Sequence, residues 1–319
     1  MRVILSFVPS ILMALLYGAL ARFLFDSAFE GVTSTLSVAF IIVVPFVIGM
    51  LAVYFAPRDK RAAWQFSLGI AALSMLLGAT LAAVLLWEAA ICVVMALPIM
   101  LIMATGGGLL MWWLLARRDS SGTSLLALFL FLPLMFVPLE NQFPVQDSFH
   151  TVENQIRINA DAETVWQNII RVEPIQDAER PFSVLFTVFD APKPLQANMF
   201  GDGVGGIRRG QFEGGLQFIE KISVWQFAKR IEWDITPDNA NVLRAPWHAI
   251  GGKPFAVPKA AYWIEPTTDG QVLLHLSSEH RLTTRFNGYG ALWTRWGMSE
   301  FQNHILHIIK ARAEHAARR

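Results

Sequence analysis

The chain has 319 residues, 54% of them hydrophobic and only 16% charged, with a formal net charge of +1. So few charges fall below the roughly 25% of an ordinary soluble domain, and near-neutrality argues against the basic stripe that nucleic-acid binding calls for. The single cysteine, Cys92, rules out an internal disulfide and a thiolate metal cluster.

The charge deficit is local. Before Glu140 the sequence is a series of apolar runs at residues 3–25, 34–56, 63–87 and 89–116, separated by short charged connections. Each run reaches the roughly 20 residues that a helix needs to cross a bilayer core. A fifth run, 124–139, is shorter and carries Pro133 and Pro138, so it reads either as a further span or as an interfacial segment. Residues 1–140 are expected to form a transmembrane region of about five helices.

Arg2, then Arg58, Lys60 and Arg61, then Arg117 and Arg118 lie in alternate connections, while Asp26, Glu30 and Glu88 lie in the others. Basic loops stay in the cytoplasm. With five spans, everything after Glu140 lies outside it; with four, inside. The five-span reading is the expectation, in a plasma or bacterial inner membrane. Ala19-Leu20-Ala21 resembles a signal-peptidase site, but its run reads better as an uncleaved first span. Glu88, beside Trp87, reads as a turn at headgroup level, the alternative being a buried functional carboxylate. Gly106-Gly107-Gly108 marks a helix break or a close helix contact. With no row of acidic or histidine residues through the spans, a proton or ion transporter is not expected.

Residues 141–150, with Pro144, read as a linker, and 151–319 as one domain. Ile156 and Ile158 alternate with Gln155 and Arg157 as in a half-buried strand. Asp161 then offers an N-cap to a helix running to Ile170, and Pro174 and Pro181 bracket an irregular piece. Strand-like runs follow at 206–213, 216–225, 230–235, 260–265 and 271–284, with turn signals between them. The last of these puts Leu274, Leu276, Ser278, His280 and Leu282 on one face. Between the third and fourth lies a connection containing Pro246, Trp247, Pro254, Phe255 and Pro258, which reads as a lid or a lipid-touching loop. A long helix over 291–316 closes the chain, with Met298, Phe301, Ile305, Ile308 and Ile309 as its apolar stripe. The order is α+β: a strand, helices, antiparallel strands, then one long helix.

The run Ile156-Arg157-Ile158-Asn159-Ala160-Asp161-Ala162-Glu163-Thr164-Val165-Trp166 resembles the opening strand and helix start of START-like domains of the SRPBCC superfamily, the polyketide cyclase/dehydrase type. Asp161 stands where that motif usually has proline. Gly203-Val204-Gly205-Gly206-Ile207-Arg208-Arg209 and Glu220-Lys221-Ile222-Ser223-Val224-Trp225, followed by Arg230-Ile231-Glu232-Trp233, are similar to later strands of the superfamily. The resemblance covers about residues 150–316. It implies a helix-grip fold, a curved antiparallel sheet around the C-terminal helix, with a deep cavity for a hydrophobic ligand. It implies no single chemistry, and no cofactor is expected.

The inward residues expected to line such a cavity are Phe212, Phe218, Trp233, Leu276, His280, Trp296 and Phe301, with Arg208 as a partner for an anionic head group. Each aromatic among them has core packing as its plainer role. A catalytic reading uses His280 as acid or base with Glu279 or Glu220 to orient it; a hydrogen-bonded strand histidine is the plainer reading. His304 and His307 have metal-like i,i+3 spacing but no evident third ligand, so no metal is expected. Residues 201–206 lack the surrounding βαβ unit of a dinucleotide loop. The expectation is a membrane-tethered domain that binds a lipid or other hydrophobic small molecule without catalysis. The alternatives are a cyclase- or hydrolase-type enzyme, and a sensory or interaction module for another membrane protein.

Overall fold

The computed structural model describes residues 7–28, 37–85, 90–117, 121–238 and 247–318. Arg2, Glu30, Trp87, Glu88, Arg118, Asp119 and Pro246, and the side chain of Asp26, lie outside the described residues. The chain divides into two compact units, Met1–Val145 and Gln146–Arg319.

The first unit is helical: α1 (Val8–Ala28), a π-helical turn (Ala39–Val43) running into α2 (Val44–Tyr54), α3 (Trp64–Val84), α4 (Ala90–Ala116) and α5 (Ser121–Glu140). Three stretches, Val8–Phe25, Trp64–Val84 and Ala90–Ala116, are long and apolar enough to cross a membrane; Ala39–Tyr54 and Leu128–Glu140 are shorter. The π turn directly precedes Pro45, which brings no N–H and whose ring crowds the carbonyl four residues back, so a widened ladder fits there.

The residues of α2 are the most buried in this unit, with Val47, Met50, Ala52 and Val53 fully enclosed. Helices α2 and α4 meet backbone to backbone. A Cβ on Gly49 would stand 1.8 Å from the Ala104 carbonyl oxygen, and one on Gly107 would stand 1.9 Å from that of Phe46. The triple glycine is therefore a close helix contact inside an unbroken helix. Glu140, at the end of α5, accepts hydrogen bonds from the Val38 N–H (2.8 Å) and the Ala39 N–H (3.2 Å). Its carboxylate thus satisfies donors that the start of the second helix leaves unpaired. At the far end of that helix, the Arg61 guanidinium donates to the Tyr54 carbonyl at 2.6 Å.

The second unit begins with β1 (Ser148–Ile158), α6 (Ala162–Ile170) and the single-turn α7 (Val184–Thr187). Then come β2 (Pro194–Phe200), β3 (Ile207–Phe212), β4 (Gln217–Gln226), β5 (Arg230–Pro237), β6 (Phe255–Pro266), β7 (Val272–Leu282) and α8 (Asn287–Ala316). The Asp161 carboxylate caps α6 through the Thr164 N–H at 2.8 Å, and that bond holds its pKa below the usual carboxylate value. All seven strands form one antiparallel sheet in the order β1-β7-β6-β5-β4-β3-β2. Strand β2 carries no clean alternation and was not expected. Strand β1 starts earlier than expected, at Ser148, and absorbs the end of the presumed linker. Phe255 and Pro258 belong to β6 and not to a loop; Pro258 sits where the register with β7 shifts between Ala256 and Lys259, a bulge that tolerates its missing N–H.

Helix α8 touches the sheet near both edges, through Gln302 with Asn154 on β1 and through Phe301 with Phe212 on β3. The sheet therefore wraps the helix in a helix-grip arrangement. The packed core lies beneath the C-terminal half of α8. There Leu306, Ile309 and Ala313 meet Ile158, Val165, Trp166, Ile222, Ile231, Trp233, Tyr262 and Leu274.

Candidate ligand-binding site

Inward positions change character along α8. Beneath its N-terminal half, the inward side chains of Phe218, Ile235 and Ala260 are only half-buried and Phe212, Trp296 and Phe301 are likewise half-exposed. Phe212 packs edge-on to Phe218 with centroids 5.4 Å apart and stacks on Phe301 at 6.1 Å. Phe186 on α7 reaches Phe301 at 6.3 Å, and Phe189 meets Trp296 edge-on at 5.9 Å. Three of the expected lining residues, Phe212, Phe218 and Phe301, thus converge, while Trp296 packs on Phe189 instead.

Two others do not line an open wall. Trp233 and Leu276 are fully buried in the packed core. Trp233 stands edge-on to Tyr262 at 5.4 Å, and the Arg208 guanidinium lies 4.1 Å from its ring centroid. Arg208 is buried as well, ion-paired through Nε to Glu220 and donating from Nη1 to the Ile169 carbonyl at 2.6 Å. The two paired residues face each other directly across β3 and β4. Arg208 is committed to Glu220 and the end of α6, which leaves it little capacity for an anionic head group. Burial, offset by Arg208 and reinforced by Glu220, pushes the Tyr262 hydroxyl up to about 12.

His280 is fully buried on the inward face of β7, with Nε2 2.9 Å from the Thr294 hydroxyl of α8. Its Nδ1 has no hydrogen-bond partner among the described residues. His150 (centroids 5.6 Å) and Phe255 (5.8 Å) flank its ring. Burial, with the charges of His150 and Arg295, lowers its pKa to about 4. Neither candidate carboxylate reaches it. Glu279 is the next residue on the strand and so points to the opposite face, while Glu220 is held by Arg208. The acid–base pair read from the sequence is not assembled.

The histidines of α8 part company. His307 is exposed and its Nδ1 lies 2.7 Å from the Asn303 carbonyl. His304 is buried against Phe186 with centroids 4.6 Å apart, and neither ring nitrogen has a hydrogen-bond partner among the described residues. Burial, aided by Arg180, drops its pKa to about 4.

Sequence reasoning passed over Phe186, Phe189 and the burial of His304. It also missed Gln302, which occupies the sheet-facing stripe together with Leu306. Gln302 tolerates that place because its amide donates to the Val152 carbonyl (2.9 Å) and to Ser278 Oγ (2.5 Å) and accepts from Asn154 (2.6 Å). The side of α8 facing the 182–189 segment thus carries Phe301, the buried His304 and Glu300, which accepts from Ser183, while Gln302 on the sheet-facing side is polar and satisfied. A molecule bound there would meet aromatic rings and imidazole nitrogens able to donate or accept one proton each.

The chain matches no family model and no curated protein. Among solved structures it is similar to a START superfamily protein from Mycobacterium smegmatis, at 14% identity and a TM-score of 0.35 over 52% of this chain and 99% of that one. It is similar to truncated norcoclaurine synthase from Thalictrum flavum, at 14% identity and a TM-score of 0.31 over 52% and 97%. It is similar also to Aha1 from Colwellia psychrerythraea, at 14% identity and a TM-score of 0.29 over 50% and 96%. Likenesses this distant assign no role to any residue.

Proposed function

We propose that the second unit is a START-like domain of the SRPBCC type, tethered to a membrane by the helical unit, and that it holds a lipid or another apolar small molecule between its sheet and the N-terminal half of α8. One observation carries the reading: Phe212, Phe218 and Phe301 converge between the sheet and α8 yet stay half-exposed, whereas inward residues under the other half of the helix form a closed core. Incompletely buried inward aromatics beside partnerless imidazole nitrogens suit an apolar ligand with a polar group. The domain binds without catalysing, since His280 has a hydroxyl and no carboxylate as its partner.

The domain lies outside the cytoplasm. The Glu140 carboxylate on the Val38 and Ala39 N–H groups supports this, because it sets the end of α5 at the start of the second helix. The basic turn of Arg58, Lys60 and Arg61 follows that helix's other end. A helix that returns to the end opposite a basic turn has crossed to the non-cytoplasmic side.

The test is mass spectrometry of small molecules extracted from the purified fragment 141–319, which contains a complete contact unit with its own core. A bound lipid or apolar metabolite, depleted by Phe301→Lys, is the expected result. A fragment that carries nothing and binds no apolar probe sinks the reading.

A further inference from the structure

The two ends of the sheet differ, and the register tells them apart. At one end lie the first residues of β1, β2 and β6, the last of β7 and the start of α8, since Ser148 pairs with Leu282, Phe255 with Leu282 and Pro194 with Phe212. The half-exposed inward aromatics lie toward this end. At the other end, Ile158 and Pro266 both pair with Val272, and the 201–206 hairpin reaches Ile222.

Exposed apolar side chains lie at both ends, with Phe200, Val204, Ile207 and Phe227 at the second, and only those at the first adjoin the tether. Phe182 is 76% exposed, Val188 59% and Leu292 63%, with Val184 beside them. They are neighbours in space as well as in kind. Ser183 donates to Glu300 of α8 at 2.8 Å, Phe189 packs on Trp296, and Leu292 stands one turn before Trp296. The patch therefore runs along the seam where the 182–189 segment packs on α8, outside Phe186 and Phe301. Its charges are mixed, Asp190 and Glu300 against Arg295, so it carries no cationic field of its own.

The tether points to the occupant. Only residues 141–147 separate the end of α5 from Ser148, which begins β1 at this same end. Fully extended, seven residues span at most about 25 Å. An apolar patch on the tethered end of a domain held that near to lipid meets a bilayer before any other surface. We infer that Phe182, Val184, Val188 and Leu292 form an interfacial docking face that inserts into a zwitterionic lipid surface by apolar contact. The seam between α8 and the 182–189 segment then faces lipid. The inference rests on the reading that the helical unit lies in a bilayer, and it holds whether or not the site is occupied.

The experiment uses the full chain with Cys92→Ala, reconstituted in phosphatidylcholine vesicles. Single cysteines replace Phe182, Val188, Leu292 or, as the control, Val204 in the hairpin at the opposite end, which is 69% exposed. Each carries a polarity-sensitive fluorophore, and phosphatidylcholine brominated at shallow acyl positions serves as quencher. An interfacial face sits about 5–10 Å into the headgroup and acyl boundary, so labels at 182, 188 and 292 should be blue-shifted and lose most of their emission. The Val204 label should not change. Quenching at 182 no stronger than at 204 overturns the inference. Co-flotation of the chain with vesicles after an alkaline wash tests the tether separately: a chain that floats while its 182 label stays in water refutes the docking face alone.

Discussion

His304 and His280 are the residues where burial most changes chemistry. Both have pKa values near 4 in the folded domain, against an ordinary value of 6.5, because burial disfavours the cation. Above about pH 6.5 both histidines are neutral folded and unfolded, so neither makes stability depend on pH there. As pH falls from 6.5 toward 4 the unfolded chain takes up protons that the fold refuses, so stability falls, by at most about 1.4 kcal/mol per pH unit for each histidine. Urea melts at pH 7.5 and pH 5 should show the loss, and His304→Phe should flatten it; a His304→Phe variant with undiminished pH dependence counts against this account. Arg208 poses the opposite problem, a buried charge already paired. Arg208→Met leaves the Glu220 carboxylate buried without its partner and should cost about 3–5 kcal/mol, most of it recovered when Glu220→Leu is added. Equal losses in the single and double variants, measured by denaturant unfolding, would contradict the pairing.

Among the elements, the contact between α2 and α4 depends on the absence of side chains. Gly107→Leu forces a Cβ to within 1.9 Å of the Phe46 carbonyl oxygen, and backbone cannot retreat as a side-chain tip can. The variant should lose its monodisperse peak on size-exclusion chromatography in detergent or melt far below the wild type. Gly69→Ala is the control: no atom lies within 4 Å of the added Cβ, so the helix should be unharmed. Comparable behaviour of the two variants would remove the close contact from the account. In the second unit, alternation exposed β4, β5 and β7 in the sequence because inward and outward residues differ there. Strand β2, whose residues Pro194–Phe200 carry no such contrast, is recognisable only through its partner β3.

For the whole molecule, the proposed placement of the domain outside the cytoplasm turns on whether α5 crosses. If Glu140 marks the far end of a crossing, a phosphatase fused to the C-terminus should be active only where enzymes of that kind mature, outside the cytoplasm, and a fluorescent protein that folds only in the cytoplasm should stay dark. The reverse pattern would mean that α5 does not cross. The same carboxylate illustrates how a boundary residue takes on a second task. It ends the last apolar helix and caps the second one, a pairing across 101 and 102 residues that no local pattern records.

By itself the sequence determined what depends on neighbours in the chain. Apolar run length set the helical unit, alternation set most strands, Asp161 set the start of α6, and the α+β order pointed to a sheet around a last helix. The tertiary structure decided what depends on register and on curvature. Register put Arg208 opposite Glu220, which committed both side chains to each other. Curvature brought Phe301 to Phe212 while Gln302 faced β1. Helical spacing alone ranked Phe301, Ile305 and Ile309 as one stripe. It could not tell which side of the helix would meet a satisfied polar strand and which an aromatic cluster, because that difference lies in what the helix packs against.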